Sequence, residues 1–68
     1  MTSSASVVIT NEFASVSIRV DQHSHGPLAW VTDRRSGVSR RIDPLALEGL
    51  VWAPDHIIAS LADPDLRT

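Results

Sequence analysis

Apolar and polar side chains alternate most regularly along residues 14–21. Val16, Ile18 and Val20 fall on one side of an extended backbone, and the polar residues between them fall on the other. This period of two predicts a half-buried β-strand. A cluster of β-branched side chains predicts a shorter strand over residues 6–10. Asn11 and Glu12 then form either a turn or an irregularity between the two strands.

A loop and a hairpin are predicted next. Gly26 and Pro27 interrupt residues 22–27, which predicts a loop. Residues 28–32 resume as a strand that has Trp30 on one face and Ala29 on the other. Residues 33–37 suit a type I turn that ends in a left-handed glycine. The return strand, residues 38–42, contains two arginines and is therefore predicted to lie at a sheet edge.

A helix is predicted to begin at Asp43 and Pro44. Asp43 can accept a hydrogen bond from the first helical turn, and Pro44 loses nothing at the first helical position. The helix runs to about Trp52, and Gly49 within it costs about 1 kcal/mol relative to alanine, which indicates close packing or an early end. The residues expected to face the sheet are Leu47, Leu50 and Val51.

A second short helix is predicted from about Pro54 to Leu61, because the Ala53-Pro54 step breaks the first one. Its apolar side would bury Ile57, Ile58 and Leu61.

The predicted order of elements indicates an α+β fold, in which a small antiparallel sheet of three to four strands precedes one or two short helices packed on one face. Residues 6–62 form the single domain, with tails at residues 1–5 and 63–68. The other face of the sheet would be left for a partner. It is expected to carry Ser17, Arg19, Ala29 and Val31.

The size of the chain favours assembly with another protein. A domain of 68 residues buries only about 60% of its unfolded surface. The sequence contains no cysteine and no recognisable metal-binding cluster, so the usual supports of a very small fold are missing. We therefore expect a larger protein partner or a homo-oligomer.

Charge narrows the choice of partner. The net charge is −2, and all six basic residues are arginine. That balance argues against nucleic acid and against a polybasic membrane anchor. No apolar stretch approaches a membrane span, and no positive charge precedes the first apolar run, so we expect a cytoplasmic protein.

Arginine and tryptophan supply the candidate partner-binding residues. Arginine side chains suit carboxylates or phosphates on a partner surface, and tryptophan is enriched at binding hot spots. Trp52 is the better interface candidate of the two tryptophans, because a Pro-containing break follows it. The full candidate set is Trp30, Arg34, Arg35, Arg40, Arg41 and Trp52.

A histidine site is the alternative from another class of function. His23 and His25 could point the same way and bind a metal with His56 or Asp21, or act as acid and base at an oligomer interface. A serine triad of Ser24, His56 and Asp55 is a weaker variant of this hypothesis. Solvated loop histidines are the simpler interpretation of the same residues.

Three segments of the chain resemble a group of short proteins commonly labelled dihydrodiol dehydrogenase. They are residues 11–14 (Asn-Glu-Phe-Ala) before the alternating strand, the turn at residues 33–37, and residues 42–53 with Ile-Asp-Pro-Leu, Leu-Glu and Leu-Val-Trp-Ala. The resemblance spans most of residues 8–54, and its motifs are structural. It implies a small accessory or subunit-like protein associated with oxidoreductases.

The sequence does not supply the parts of a dehydrogenase. It has three glycines, no Gly-x-Gly-x-x-Gly motif, and neither tyrosine nor lysine to pass a proton to a carbonyl. We therefore predict no cofactor. The expected function is that of a non-catalytic accessory or small subunit that binds a larger, oxidoreductase-type protein or self-associates. A small metal-dependent or acid–base enzyme built on His23, His25 and His56 is the alternative.

Overall fold

Four strands precede two helices in the computed structural model, which describes residues 6–63. The strands are β1 (Val7–Thr10), β2 (Ser15–His23), β3 (Gly26–Asp33) and β4 (Ser39–Ile42). The helices are α1 (Pro44–Trp52) and α2 (Asp55–Leu61). The predicted α+β fold is confirmed, with four strands in one antiparallel sheet of order β1-β2-β3-β4. The predicted tail at residues 1–5, and residues 64–68 of the tail predicted at residues 63–68, lie outside the described residues.

The β2–β3 hairpin is longer than its sequence predicts. Gln22 pairs with Pro27 and His23 pairs with Gly26, so only Ser24 and His25 remain in the turn. The prediction of a loop over residues 22–27 is therefore wrong at both ends. Proline is tolerated near the start of a strand, and Gly26 adopts a φ of +114° that other residues rarely adopt.

The other two turns follow from local side-chain hydrogen bonds. Asn11 Oδ1 accepts from the backbone N–H groups of Phe13 and Ala14 at 2.8 and 2.9 Å, so residues 11–14 form a tight turn. Asp33 Oδ1 accepts from the backbone N–H of Arg35 at 3.0 Å, and Gly37 has a φ of +81°. The predicted left-handed glycine at the end of this turn is confirmed.

Strand register divides the sheet into an apolar face and a Trp30 face. Val20 lies opposite Ala29, and Ala29 lies opposite Ile42, whereas Trp30 lies between Arg19 and Arg41. The apolar face consists of Val7, Ile9, Val16, Ile18, Val20, Ala29, Val31 and Ile42. The expectation that Ala29 and Val31 share a face with Arg19 is wrong, because the register pairs them with Val20 and Ile18.

Helix α1 lies over β3 on the apolar face. Asp43 Oδ1 accepts a hydrogen bond from the backbone N–H of Ala46 at 2.8 Å, which confirms the predicted helix start. Pro44 and Leu47 cover Ala29, the one buried apolar residue within residues 6–63. Val51 was expected to face the sheet, but it is 79% exposed.

The rest of the apolar surface is covered incompletely. A four-stranded sheet is about 19 Å wide, and one helix of about 10 Å diameter covers roughly half of it. Helix α2 does not complete the cover, and the prediction that its three large apolar residues are buried is wrong. They are 43 to 50% exposed. Thirteen large apolar side chains within residues 6–63 are at least 42% exposed, far more than a self-contained core would leave.

Candidate partner-binding surfaces

Helix α1 carries three of the four most exposed large apolar side chains within residues 6–63. Leu45 is 77% exposed, and Trp52 is 82% exposed. Gly49 lies between them at four- and three-residue spacing, which places all three on one side of the helix. Val51, which is 79% exposed, flanks this side of the helix at four-residue spacing from Leu47. We call Leu45, Gly49, Val51 and Trp52 the outer α1 surface.

Helix α1 is apolar around its whole circumference. Leu47 and Leu50 lie on the sheet side, Leu45, Gly49 and Trp52 lie on the opposite side, and Glu48 is the one charged residue between Pro44 and Trp52. A helix of this kind is normally enclosed on all sides. The sheet encloses α1 on one side, and Leu45, Val51 and Trp52 are left 77 to 82% exposed. Sequence reasoning predicted Trp52 here and missed Leu45, which the same seven-residue spacing indicates.

Arg34 and Arg35 join two turns at one end of the sheet. Arg35 donates from Nη1 to the carbonyl oxygen of Phe13 at 2.8 Å and from Nη2 to that of Glu12 at 3.1 Å. Arg34 donates from its backbone N–H to the carbonyl oxygen of Ser15 at 2.9 Å, and from Nη1 to Ser15 Oγ at 3.1 Å. Both guanidinium groups therefore have a structural role within the chain.

Replacing Arg35 by alanine should lower the free energy of unfolding. The variant loses two charge-assisted hydrogen bonds at an exposed site, and we expect a loss of about 1 kcal/mol. Urea unfolding followed by circular dichroism would measure it. Arg40→Ala is the matched control, because the Arg40 guanidinium makes no hydrogen bond or ion pair within residues 6–63. Equal losses in the two variants would contradict a structural role for Arg35.

Trp30 lies between two arginines on its face of the sheet. The Cζ atom of Arg19 is 5.7 Å from the Trp30 ring centroid, and that of Arg41 is 4.8 Å away, within the range of cation–π contacts. Asp21 approaches both cations, with Oδ1 3.8 Å from Arg19 Nη1 and Oδ2 3.6 Å from Arg41 Nε. Asp21 is therefore the acidic neighbour of both arginines. We call Arg19, Trp30 and Arg41, which lie side by side on β2, β3 and β4, the Trp30 row.

Sequence reasoning missed Arg19 and Asp21 as neighbours of Trp30. The two-residue turn between β2 and β3 sets the register that pairs Arg19 with Trp30. The Ser-His-Gly sequence at residues 24–26 could have predicted this register, because it suits a tight hairpin turn that ends in glycine.

The four predicted arginines do not form one cluster. Arg34 and Arg35 lie at a turn, Arg41 lies on the Trp30 face, and Arg40 lies opposite Val31 on the apolar face. Neighbouring residues of a strand point to opposite faces, so the side chains of Arg40 and Arg41 lie on opposite faces of β4. Arg40 borders an open groove between β4 and the helices. The other residues that line it are Arg41, Ile42, Asp43, Ala46, Leu50 and Leu61.

The histidines occupy two elements of the fold. His23 ends β2, His25 lies in the following turn, and His56 lies in α2 beside Asp55. Within residues 6–63, no three histidine or acidic side chains lie close enough together to hold a metal ion. Among the described residues, no hydrogen bond joins Ser24, His56 and Asp55. The histidine hypothesis remains a prediction from the sequence.

Comparisons with known proteins complete the description of these surfaces. Neither helix of the described structure, with nine and seven residues, is long and apolar enough to cross a membrane. No family model, curated protein sequence or solved structure matches the chain.

Proposed function

We propose that this chain is a non-catalytic accessory protein that binds a larger protein through the outer α1 surface. The observation that supports the proposal is the exposure of Leu45, Val51 and Trp52, each about four-fifths accessible on a helix that is apolar on every side. Exposed apolar side chains are ordinary when scattered, but a contiguous group on one short helix indicates a binding surface.

The area of the outer α1 surface fits the centre of an interface. Three large side chains at this exposure present on the order of 500 Å² of mostly apolar area. The largest patch on a typical monomer is about 300–600 Å², and each side of a standard interface covers about 800 Å². Tryptophan in a central position is the commonest binding hot spot, which makes Trp52 the proposed anchor.

The proposed partner presents an apolar groove that receives one side of a short helix. Apolar anchors at residues 45 and 52 match the spacing by which helices dock into such grooves. The resemblance to oxidoreductase-associated short proteins suggests that the partner is an oxidoreductase. In that arrangement the cofactor and the catalytic residues belong to the partner.

Gly49 offers a separate test of this surface. An added Cβ would meet no atom within 4 Å, so nothing inside the chain requires glycine there. Gly49→Ala should raise the free energy of unfolding by about 1 kcal/mol, because alanine favours the helix. The same substitution should weaken partner binding if the partner approaches the helix closely at Gly49. Thermal unfolding and a binding titration together would separate the two effects, and a variant that is more stable and binds equally well would show that close approach is not needed.

Native mass spectrometry of the affinity-tagged chain, drawn gently from its own cell lysate, tests the proposal. We expect a stoichiometric complex with a much larger protein. The Leu45→Ser/Trp52→Ser double variant should lose that protein and retain its circular dichroism spectrum, because both side chains are mostly exposed.

A matched double variant controls for the loss of exposed apolar area. Phe13 is 79% exposed and Val38 is 68% exposed, and both lie in turns away from α1. Phe13→Ser/Val38→Ser should retain the complex. A complex that survives in Leu45→Ser/Trp52→Ser would overturn the proposed surface, and a lone monomer that carries a metal ion would favour the histidine hypothesis instead.

A further inference from the structure

We infer that two copies of the chain pair through the outer edges of their β1 strands, where no other strand of residues 6–63 lies. The two edges of the sheet differ in a way that points to β1. The β4 edge carries Arg40 and Arg41 and leads directly into Asp43 and Pro44, features that discourage strand addition. The β1 edge reads Val-Val-Ile-Thr, with no charge, proline or glycine to protect it.

The hairpin shows which backbone groups of β1 are available. The backbone N–H of Asn11 donates to the carbonyl oxygen of Ala14 at 2.9 Å. Hydrogen-bonded and non-hydrogen-bonded pairs alternate along an antiparallel ladder. The pairs of Ile9 with Val16 and of Val7 with Ile18 are therefore the hydrogen-bonded ones. The N–H and C=O groups of Val8 and Thr10 consequently point away from β2, towards the free edge.

The side chains along this edge are apolar and accessible. Val7, Val8 and Ile9 are 59, 46 and 61% exposed. Together with the paired backbones, these side chains from two copies would bury on the order of 1,000 Å². That area lies near the lower limit for specific interfaces and corresponds to a weak, reversible dimer rather than an obligate one.

Antiparallel pairing of two β1 strands about a two-fold axis gives one eight-stranded sheet. A second β1 is the natural occupant because the same uncharged strand meets itself, as a two-fold interface requires. The apolar faces of both copies then become continuous across the axis through Val7 and Ile9. The two outer α1 surfaces remain free, so this pairing is independent of the proposed partner-binding function and would make the protein bivalent.

Sedimentation equilibrium of the full chain, run over about 5–500 µM because weak dimers dissociate at low concentration, tests the inference. We expect a reversible monomer–dimer equilibrium. Val8→Pro should raise the dimer dissociation constant about 30-fold, because each copy loses an edge hydrogen bond. It should keep the β1–β2 hairpin, since the N–H that proline removes points away from β2.

A second substitution at the same position guards against a folding defect. Val8→Lys places a charge on the edge and leaves the backbone intact, and it should weaken the dimer at least as much as Val8→Pro does. Val38→Lys is the matched control, because Val38 is 68% exposed in the β3–β4 turn and should tolerate lysine without loss of the dimer.

Spin labels on introduced cysteines report which edge is used, because the chain has no cysteine of its own. A label at Val8→Cys should lie within about 15 Å of its copy, since paired strands are about 5 Å apart, and a label at Val38→Cys should lie much farther from its copy. A chain that stays monomeric at the highest concentration overturns the inference. So does a dimer that persists in both Val8 variants, which would place the contact elsewhere.

Two variants distinguish pairing through β1 from partner binding through α1. Leu45→Ser/Trp52→Ser should leave the dimer unchanged, and Val8→Lys should leave capture of a larger protein unchanged. Loss of the dimer in the α1 variant would instead assign self-association to α1 and overturn pairing through β1.

Discussion

Ala29→Asp is expected to unfold the chain at neutral pH. Ala29 is 8% exposed, lies between Val20 and Ile42 in the register, and is covered by Pro44 and Leu47. A carboxylate placed there loses water among the apolar side chains of Val20, Ile42 and Leu47, which costs about 3–5 kcal/mol. A domain of this length has roughly 3–10 kcal/mol of stability in total, so the loss removes most or all of it. Loss of the cooperative urea transition, followed by circular dichroism, is the measurement.

Two further alanine variants show whether the effect belongs to this position. Ala14→Asp places the same carboxylate on an exposed turn and should change stability by less than about 0.5 kcal/mol. Ala29→Ser adds a small polar group without a charge and should cost about 1–2 kcal/mol. If Ala29→Asp unfolds no more readily than Ala14→Asp, then α1 does not cover the sheet in solution as it does in the structure.

The backbone of this fold was largely predictable because its signals are local. The alternation in β2 depends on side chains two residues apart, and the start of α1 depends on Asp43 and Pro44 alone. Each of these patterns reflects the preference of a few neighbouring residues for a strand or a helix, and the contacts of the folded chain agree with that preference. The loop predicted at residues 22–27 failed because a tight turn needs only two residues, while Gly26 and Pro27 can both stand at the start of a strand.

The surfaces of the protein were less predictable because they depend on register and on coverage. Strand register decides that Arg19 and Trp30 are neighbours, and a change of one residue in the turn would move Arg19 to another partner. How far the sheet extends beneath α1 decides that Val51 is left exposed, and the sequence of the helix carries no local sign of that limit.

Trp30→Ala is expected to cost about 3 kcal/mol of the free energy of unfolding. Trp30 is half-buried, so truncation loses about half of the 3–5 kcal/mol typical of a buried aromatic residue. It also removes two cation–π contacts, with Arg19 and Arg41, each worth about 0.5–1 kcal/mol at an accessible site. Loss of the ring leaves two guanidinium groups facing each other with Asp21 as the acidic group between them. Urea unfolding at low and high salt would measure the loss.

Two conservative variants separate the ring's burial from its electrostatic role. Trp30→Phe keeps an aromatic face for both guanidinium groups, whereas Trp30→Leu keeps a comparable apolar volume without one. If the cation–π contacts stabilise the Trp30 row, the free energy of unfolding of Trp30→Phe should exceed that of Trp30→Leu by about 1 kcal/mol. That difference should vanish in an Arg19→Gln/Arg41→Gln background, because neither partner then carries a charge. Equal stability of the two variants in the natural background would assign Trp30 to burial alone, and the Trp30 face would then be a packed surface rather than an electrostatic one.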